Sequence, residues 1–371
     1  MLNAIQIEQK VLSAAAQKVI NVVSNRSLMP ILSNILLEAK DNSLRLCATD
    51  LDVSISTKVV TVMEEQCTIT VNARKFAEIL KELPSSLITI EFADNRLNIL
   101  SNTGRYSLAG LSAEEFPILP SFDGVSINLD GEEFVDMIKK TTFAASTDES
   151  RPALTGILVR AQEQKLSAVA TDGRRLAMIH KDVSLPLADF NAIIHPKVLT
   201  HLTRLVSGGE SLNEIIIGEN NIKFDLGDTE LYARLIEGPY PMIDAILPKN
   251  NEKKMVVSTE NLTGAIRRVA ALSDADTHLV HFSISKDMLK LSSLSQDMGG
   301  EANEEIDIEY DSESLDVGYN AEYLLDILRR INSEKVMFEL DSSENAGLIK
   351  PVEQQESEEY LCLIMPLRLN K

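Results

Sequence analysis

The chain has 371 residues, 44% hydrophobic and 25% charged, with a formal net charge of -20. This is the composition of a folded protein with length for two or three domains. It excludes a disulfide framework or zinc site, because Cys47, Cys67 and Cys362 show no CxxC pairing, and a transmembrane helix, because no apolar run of about 18 residues exists.

A short strand is predicted over 4–7. A helix follows from residue 8, with Val11, Leu12, Ala15, Val19 and Val22 at helical spacing, and Pro30 ends any helix. Strands are predicted over 35–39, 44–49, 51–61 and 67–71. Residues 73–83 form a second helix with Phe76, Ile79, Leu80 and Leu83 on one face and Pro84 as the stop. Strands over 87–92, 96–100 and 105–109 lead to a linker, 114–124, whose prolines and glycine deny helix and ladder alike.

The order then restarts. A strand over 127–129 precedes a helix over 132–143, strands over 156–159, 166–171 and 175–180, and a helix over 196–206. A second linker spans 237–248. The third pass has a strand over 255–258, a helix over 260–271, strands over 281–284, 289–294 and 305–310, a helix over 320–331 and a last strand over 360–365.

Registers agree across the passes. Ala170-Thr171-Asp172-Gly173-Arg174-Arg175-Leu176 has a near-copy, Ala48-Thr49-Asp50-Leu51-Asp52, 122 residues upstream. A degenerate relative opens at Leu289, 123 residues after Leu166. Val71-Asn72-Ala73 aligns with Ile194-His195-Pro196 at an offset of 123, and that with Gly318-Tyr319-Asn320 at 124. Self-similarity at a fixed period reads as three α+β repeats, each with two helices and several strands.

Net charge alone argues against a polyanionic partner, but the distribution of charge points the other way. Bases are enriched on the six predicted helices and acids elsewhere, as a protein needs if one surface is to meet phosphate. No helix-turn-helix, zinc finger or RNA-binding aromatic signature is present, so contact with nucleic acid would run through phosphates without sequence preference. Catalytic signals are thin. No Walker A, GxGxxG or GxSxG motif accompanies Asp172, and Asp172-Gly173 reads as a tight turn between strands, leaving phosphoryl transfer by Asp50 and Asp172 remote. His278-x-x-His281 lacks a third metal ligand and reads as surface histidines. The acids Glu301, Glu304, Glu305, Asp307 and Glu309 read as a solvated face or a dock for a basic edge.

The sequence resembles the bacterial sliding clamps, the beta subunits of DNA polymerase III, along its whole length. The resemblance is carried by Pro30-Ile31-Leu32-Ser33-Asn34, the Ala170–Leu176 stretch, Tyr240-Pro241 with Leu247-Pro248-Lys249-Asn250, and Met365-Pro366-Leu367-Arg368-Leu369. It implies three clamp domains, 1–124, 125–250 and 251–371, each with two helices packed on antiparallel sheets. A head-to-tail homodimer of such chains would close a ring around duplex DNA and act as a non-catalytic polymerase processivity factor, without a cofactor. A multi-repeat scaffold that binds peptides but never encircles DNA is the competing reading. The implied partners are double-stranded DNA, polymerase catalytic subunits, the clamp loader and repair factors carrying short hydrophobic peptides. No membrane is involved. The opening MLNAIQIEQK lacks a basic start and an apolar run, and the cytoplasm is the expected compartment.

The resemblance also implies three surfaces. A partner-peptide groove would comprise Leu154, Thr171, Gly173, Arg174, Arg175, Leu176, Pro241, Ile246, Leu363, Met365, Pro366, Leu367 and Arg368, apolar within and basic at its edge. Ala245 stands where relatives often have arginine, and Asn370-Lys371 extend past the usual terminal leucine. The DNA-facing bases would be Arg26, Lys10, Arg74, Lys139, Arg151, Lys197, Arg204 and Arg267; Asp148 and Glu149 are acids in a loop of that region. At the ring-closing interface Tyr106 and Leu108 would meet Ala271 and Leu272, and Arg74, Arg96 and Arg105 would face Glu301, Glu304 and Glu305.

Overall fold

A computed structural model of the chain describes residues 3–23, 29–62, 65–93, 95–119, 122–162, 164–183, 188–295 and 299–369. The chain is α+β, and every strand pairing among the described residues is antiparallel. It divides into two compact units. One comprises Met1–Val135 and Lys197–Leu235, the other Asp136–Pro196 and Ile236–Lys371. The middle sequence repeat therefore supplies strands to both.

The first unit is built on a twelve-stranded sheet. Its order is Asn3–Glu8, Leu87–Ala93, Arg96–Ser101, Gly104–Leu111, Cys67–Asn72, Asn34–Lys40, Ser43–Thr49, Val53–Val60, Thr229–Arg234, Asn221–Asp225, Glu214–Ile217 and Val125–Ile127. First-repeat strands meet middle-repeat strands where Val53–Val60 pairs with Thr229–Arg234, Ile55 opposite Leu231. The second unit holds an eight-stranded sheet, ordered Phe190–Ile194, Ile157–Gln162, Lys165–Thr171, Arg175–Asp182, Glu358–Ile364, Gly347–Pro351, Lys335–Leu340 and Lys253–Ser258. There middle and third repeats join where Leu176 opposes Leu363. A four-stranded sheet of Gly300–Asp307, Met288–Ser295, Leu279–Ser285 and Leu315–Asn320 completes this unit.

The helices form for local reasons that recur with the repeat. Ala73–Glu82 starts at Asn72, whose side chain accepts from the Lys75 amide at 3.0 Å. Ala321–Leu328 starts at Asn320, which accepts from the Tyr323 amide at 3.1 Å. Both caps satisfy an otherwise orphan donor. The middle repeat has His195 at that place and Pro196 as its first helical residue, preset for a helical turn, and Pro196–Ser207 follows. Each helix buries one stripe: Phe76, Ala77 and Leu80 in Ala73–Glu82, and Leu262, Ala265, Ile266 and Val269 in Thr259–Ala270.

Several boundaries differ from expectation. Pro30 does not merely stop a helix; it begins the 3-10 turn Pro30–Ser33, where its missing N–H costs nothing. The 237–248 linker holds a short helix, Ile243–Ile246, because Pro241 precedes rather than interrupts it. The third repeat's acidic strand is Gly300–Asp307, not 305–310, since its register is set by pairing with Met288–Ser295. Arg329 and Arg330 fall past Ala321–Leu328. The six longer helices, with 11 bases and 8 acids, are therefore only modestly basic in a chain of net -20.

Candidate functional site

The Thr-Asp motif forms the same turn twice. The Thr49 hydroxyl donates to the Val53 carbonyl at 3.1 Å and accepts from the Leu51 amide at 3.0 Å. The Thr171 hydroxyl donates to the Arg175 carbonyl at 2.6 Å and accepts from the Gly173 amide at 3.1 Å. The Asp50 carboxylate accepts from the amides of Asp52 and Val53, and that of Asp172 from those of Arg174 and Arg175. The third motif residue lies in the left-handed region in both, Leu51 at φ 82° and Gly173 at φ 86°. Side-chain oxygens that accept the backbone donors of a tight turn are structural groups.

The strand launched by the second turn carries the candidate groove. Val169, Leu176, Met178, Leu348, Leu361 and Leu363 form one buried apolar cluster in the second unit. Tyr240, Ile243 and Leu247 of the 237–248 segment cover part of it. The Tyr240 hydroxyl donates to the Val169 carbonyl at 3.3 Å, and burial pushes its phenol pKa up. Beside this cover Met242, Ile246 and Met365 remain 79%, 45% and 42% exposed. Exposed apolar side chains beside a sheet-borne apolar cluster are what a short hydrophobic segment can occupy.

The expected groove residues separate by role. Leu176 and Leu363 lie opposite one another in the core. Leu154, Pro241, Pro366 and Leu367 are half-buried, and Arg174 and Arg368 are exposed. The Met365 amide donates to the Arg174 carbonyl at 2.8 Å, which ties residues 365–369 to the turn. Arg175 departs from the expected basic edge. Its side chain is only 10% exposed and bonds to Asp172 at 3.1 Å, to Asp326 at 2.8 Å and to the Phe143 carbonyl at 2.9 Å. It also stacks 4.4 Å from the Tyr323 ring centre. Arg175 is a clip between the turn and Ala321–Leu328. Sequence reading missed Met178, Leu348, Leu361, Met242 and Asp326. The first three follow strand alternation and look like any core, and nothing local marks the others. Ala245 is exposed, and Asn370 and Lys371 lie outside the described residues.

The expected DNA-facing bases also divide. Lys10, Arg74, Lys139 and Arg267 are exposed on helices. Lys197 is ion-paired with Asp50. Arg151 pairs with Asp148 at 3.1 Å, so the acid in that loop partly neutralises it. Arg204 is half-buried and donates to the Lys18 carbonyl at 3.0 Å; burial lowers its pKa. Arg26 lies outside the described residues.

Of the expected interface residues, Tyr106 and Leu108 sit on Gly104–Leu111, which pairs with Arg96–Ser101 on one side but meets Cys67–Asn72 only at Gly110 and Leu111. Tyr106 also lines a cavity of about 290 Å³ with Lys75, Glu78, Ile79, Glu82 and Leu83. Glu301, Glu304 and Glu305 sit on Gly300–Asp307, an outermost strand. Ala271 and Leu272 follow the end of Thr259–Ala270, exposed and half-buried respectively. Two expected partnerships are already taken: Arg105 bonds to Glu91 at 3.3 Å, and Glu304 accepts from Arg268 Nε at 3.0 Å. Arg96 donates to the Ser107 hydroxyl at 2.9 Å, and Arg74 is exposed.

Among the described residues no three His, Cys, Asp or Glu side chains converge as metal ligands. His278 lies 3.8 Å from Glu322 and His281 3.0 Å from Asp316. Burial pushes the thiols of Cys47 and Cys362 up to about 12, which leaves them inert. No helix among the described residues is long and apolar enough to cross a membrane.

Comparison with known proteins agrees with this architecture. Residues 3–120, 128–242 and 244–368 match the family models of the N-terminal, central and C-terminal domains of the DNA polymerase III beta subunit. The beta sliding clamp of Pseudomonas aeruginosa is 32% identical over 367 residues, covering 98% of this chain and 99% of that protein. The beta sliding clamp of Escherichia coli K12 is 31% identical over 366 residues, with the same coverage. Among solved structures, the P. aeruginosa DnaN sliding clamp bound to griselimycin has a TM-score of 0.93 at 30% identity, covering all of both chains. The Caulobacter crescentus beta sliding clamp has a TM-score of 0.92 at 31% identity, again over both whole chains. The chain belongs to the DNA polymerase III beta subunit family, the beta sliding clamps.

Proposed function

We propose that two copies of this chain close head to tail into a ring around duplex DNA and tether polymerases through the groove above. As a family member the chain is a non-catalytic polymerase processivity clamp. One observation carries the ring. Each internal seam joins the strand that follows one repeat's Thr-Asp position to the strand that ends the next: Val53–Val60 to Thr229–Arg234, and Arg175–Asp182 to Glu358–Ile364. One strand of each kind remains open. Gly300–Asp307 follows the third repeat's motif position, and Gly104–Leu111 ends the first repeat. Pairing them between two copies repeats the internal joint and removes two exposed edges. Leu272 of the second copy would seat in the cavity beside Tyr106, and the acids of Gly300–Asp307 would meet Arg74, Arg96 and Arg105.

The domains would be 1–124, 125–250 and 251–371. Lys10, Arg74, Lys139 and Arg267 would supply weak phosphate contacts from the helices, with Arg26 and Lys197 as further candidates. Topological closure, not affinity, would hold the DNA, so contacts stay salt-sensitive and indifferent to sequence. The groove would take short hydrophobic peptides of polymerases, of a clamp loader and of repair factors, in the cytoplasm. A peptide scaffold that never encircles DNA would have no use for two matching open edges.

The test is retention on DNA of two shapes. The protein is loaded onto nicked circular DNA with a clamp loader and ATP, isolated, and half the sample linearised. Loss from the linear DNA alone is expected. Equal retention on both shapes would reduce the protein to an ordinary phosphate binder.

A further inference from the structure

Residues 365–369 form a strap held at two points. Beside the Met365 bond to Arg174, the Leu367 amide donates to the Gly318 carbonyl at 2.8 Å, and an isolated antiparallel bridge joins these two residues. Pro366 between them has no amide to donate. The strap therefore pairs alongside the strand Leu315–Asn320, just after Leu363 of the apolar cluster.

A comparable pairing occurs in every repeat with a glycine close against it, on the pairing segment in the first, at the head of the neighbouring strand in the second and on the paired strand itself in the third. In the first, Gly110 opposes Val71, and a Cβ there would lie 2.6 Å from Ile69 side-chain atoms and 2.8 Å from the Thr70 carbonyl oxygen. In the second, the Ile236 amide donates to the Ile193 carbonyl at 2.9 Å, and a Cβ on Gly156 would overlap Ile193 Cγ2 and lie 2.8 Å from Ile236 Cδ1. In the third, a Cβ on Gly318 would lie 2.7 Å from Leu279 Cδ1, 2.8 Å from Leu369 Cδ2 and 3.0 Å from the Leu367 carbonyl oxygen. Close-packed interiors do not absorb such overlaps without movement. Gly318 is buried, and its φ is outside the left-handed region. A larger residue there is conformationally allowed, so it acts through bulk alone.

The strap is also a wall of the candidate groove. Leu363 is in the apolar cluster, Met365 is 42% exposed beside it, and Leu367 is half-buried. Met365 and Leu367 are two residues apart on this strap, so a shift at the Gly318 contact strains the Met365 anchor on Arg174.

We propose that Gly318, remote in sequence from every other groove residue, is a positioning residue for partner-peptide binding: its missing side chain seats the 365–369 strap and so places Met365 at the groove. The inference rests on the groove reading given above.

The test uses the full-length protein with Gly318→Ala and Gly318→Val, and a fluorescein-labelled peptide copied from the clamp-binding segment of a polymerase III catalytic subunit. Peptide affinity should fall roughly threefold for Ala and tenfold or more for Val. The Leu367 amide should exchange with solvent faster in both, while the amides of Leu279–Ser285 keep their protection and the dimer persists. If Val disrupts folding, the Ala variant alone decides the matter. Unchanged affinity together with unchanged Leu367 exchange overturns the proposal. Deletion of residues 365–371 runs alongside. If it leaves affinity unchanged, the groove reading itself falls and takes this inference with it. If the deletion abolishes binding and the Gly318 variants do not weaken it, only the inference falls.

Discussion

The Arg175 guanidinium lies 2.8 Å from the Asp326 carboxylate, across 151 residues of sequence. The pair is largely out of solvent and shares its arginine with Asp172 and the Phe143 carbonyl. Removing the arginine leaves Asp172 its backbone donors and Asp326 its contact with Arg329, but it takes the charged partner from both and the donor from the Phe143 carbonyl, a loss on the order of 2 kcal/mol. Arg175→Ala should therefore lower the melting temperature by several degrees and weaken peptide binding with it. Arg175→Lys should recover little, because one ammonium cannot reproduce a planar fork. Arg174→Ala, at an exposed site, should stay within about 0.5 kcal/mol of the parent. Equal melting of all three variants would show that the clip is idle.

Leu51 holds at φ 82° the place that Gly173 holds at φ 86°. Left-handed backbone costs a non-glycine residue roughly 1 kcal/mol. Leu51 is 48% exposed, so little burial offsets that strain. Leu51→Gly should be neutral or stabilising by up to about 1 kcal/mol, despite the entropy a glycine adds to the unfolded chain. Denaturant melts measure it, and a loss above about 1 kcal/mol would refute the strain argument.

His201 is 7% exposed on Pro196–Ser207. Burial first, then the nearby Arg204 and Lys197 cations, push its pKa down to about 4 from the ordinary 6.5, against a smaller opposing pull from Asp50. The folded protein thus binds this proton later than the unfolded chain as pH falls. Its contribution is complete above pH 6.5 and is lost as pH falls toward 4, by at most about 3 kcal/mol. His201→Gln should flatten the stability curve in that window relative to the parent. Parallel curves from about pH 7 to about pH 4 would remove the histidine from the account.

Leu108 is half-buried on the open strand Gly104–Leu111. Leu108→Asp should convert the dimer to monomer by sedimentation, with the far-UV spectrum retained. A dimer that survives at micromolar concentration would place the contact elsewhere.

The helix bases should not behave alike on DNA. Lys139→Glu and Arg267→Glu alter exposed groups and should each lower retention on circular DNA and reduce the salt dependence, by about one unit of log-log slope per lost contact. Arg204→Ala should lower stability, because its guanidinium serves the Lys18 carbonyl, and should change the salt slope little. The reverse ordering would exchange their roles.

Much of this molecule was legible in its sequence. Periodic stripes such as Phe76 with Leu80, and caps such as Asn72 and Asn320, are local events, so helices appear nearly where spacing puts them. The offsets of 122 to 124 residues identified three repeats because each repeat re-solves the same local problem. The Thr-Asp turn was readable too, since its bonds close within five residues.

What the sequence did not contain is which strand of one repeat pairs with the next. Pairing of Arg175–Asp182 with Glu358–Ile364 is decided by hydrogen bonds between segments about 180 residues apart, and alternation alone cannot name a partner. The same limit hid Asp326 from Arg175 and made Arg175 look like an edge cation. Linker placement was equally invisible. Phe116 and Leu119 fill a cluster with Ile31, Leu32 and Cys47, whereas Tyr240, Ile243 and Leu247 leave Met242 and Ile246 partly open. The local sequence determined the elements and their threefold recurrence; only tertiary structure decided which apolar cluster stayed uncovered, because burial is a property of what arrives from elsewhere in the chain.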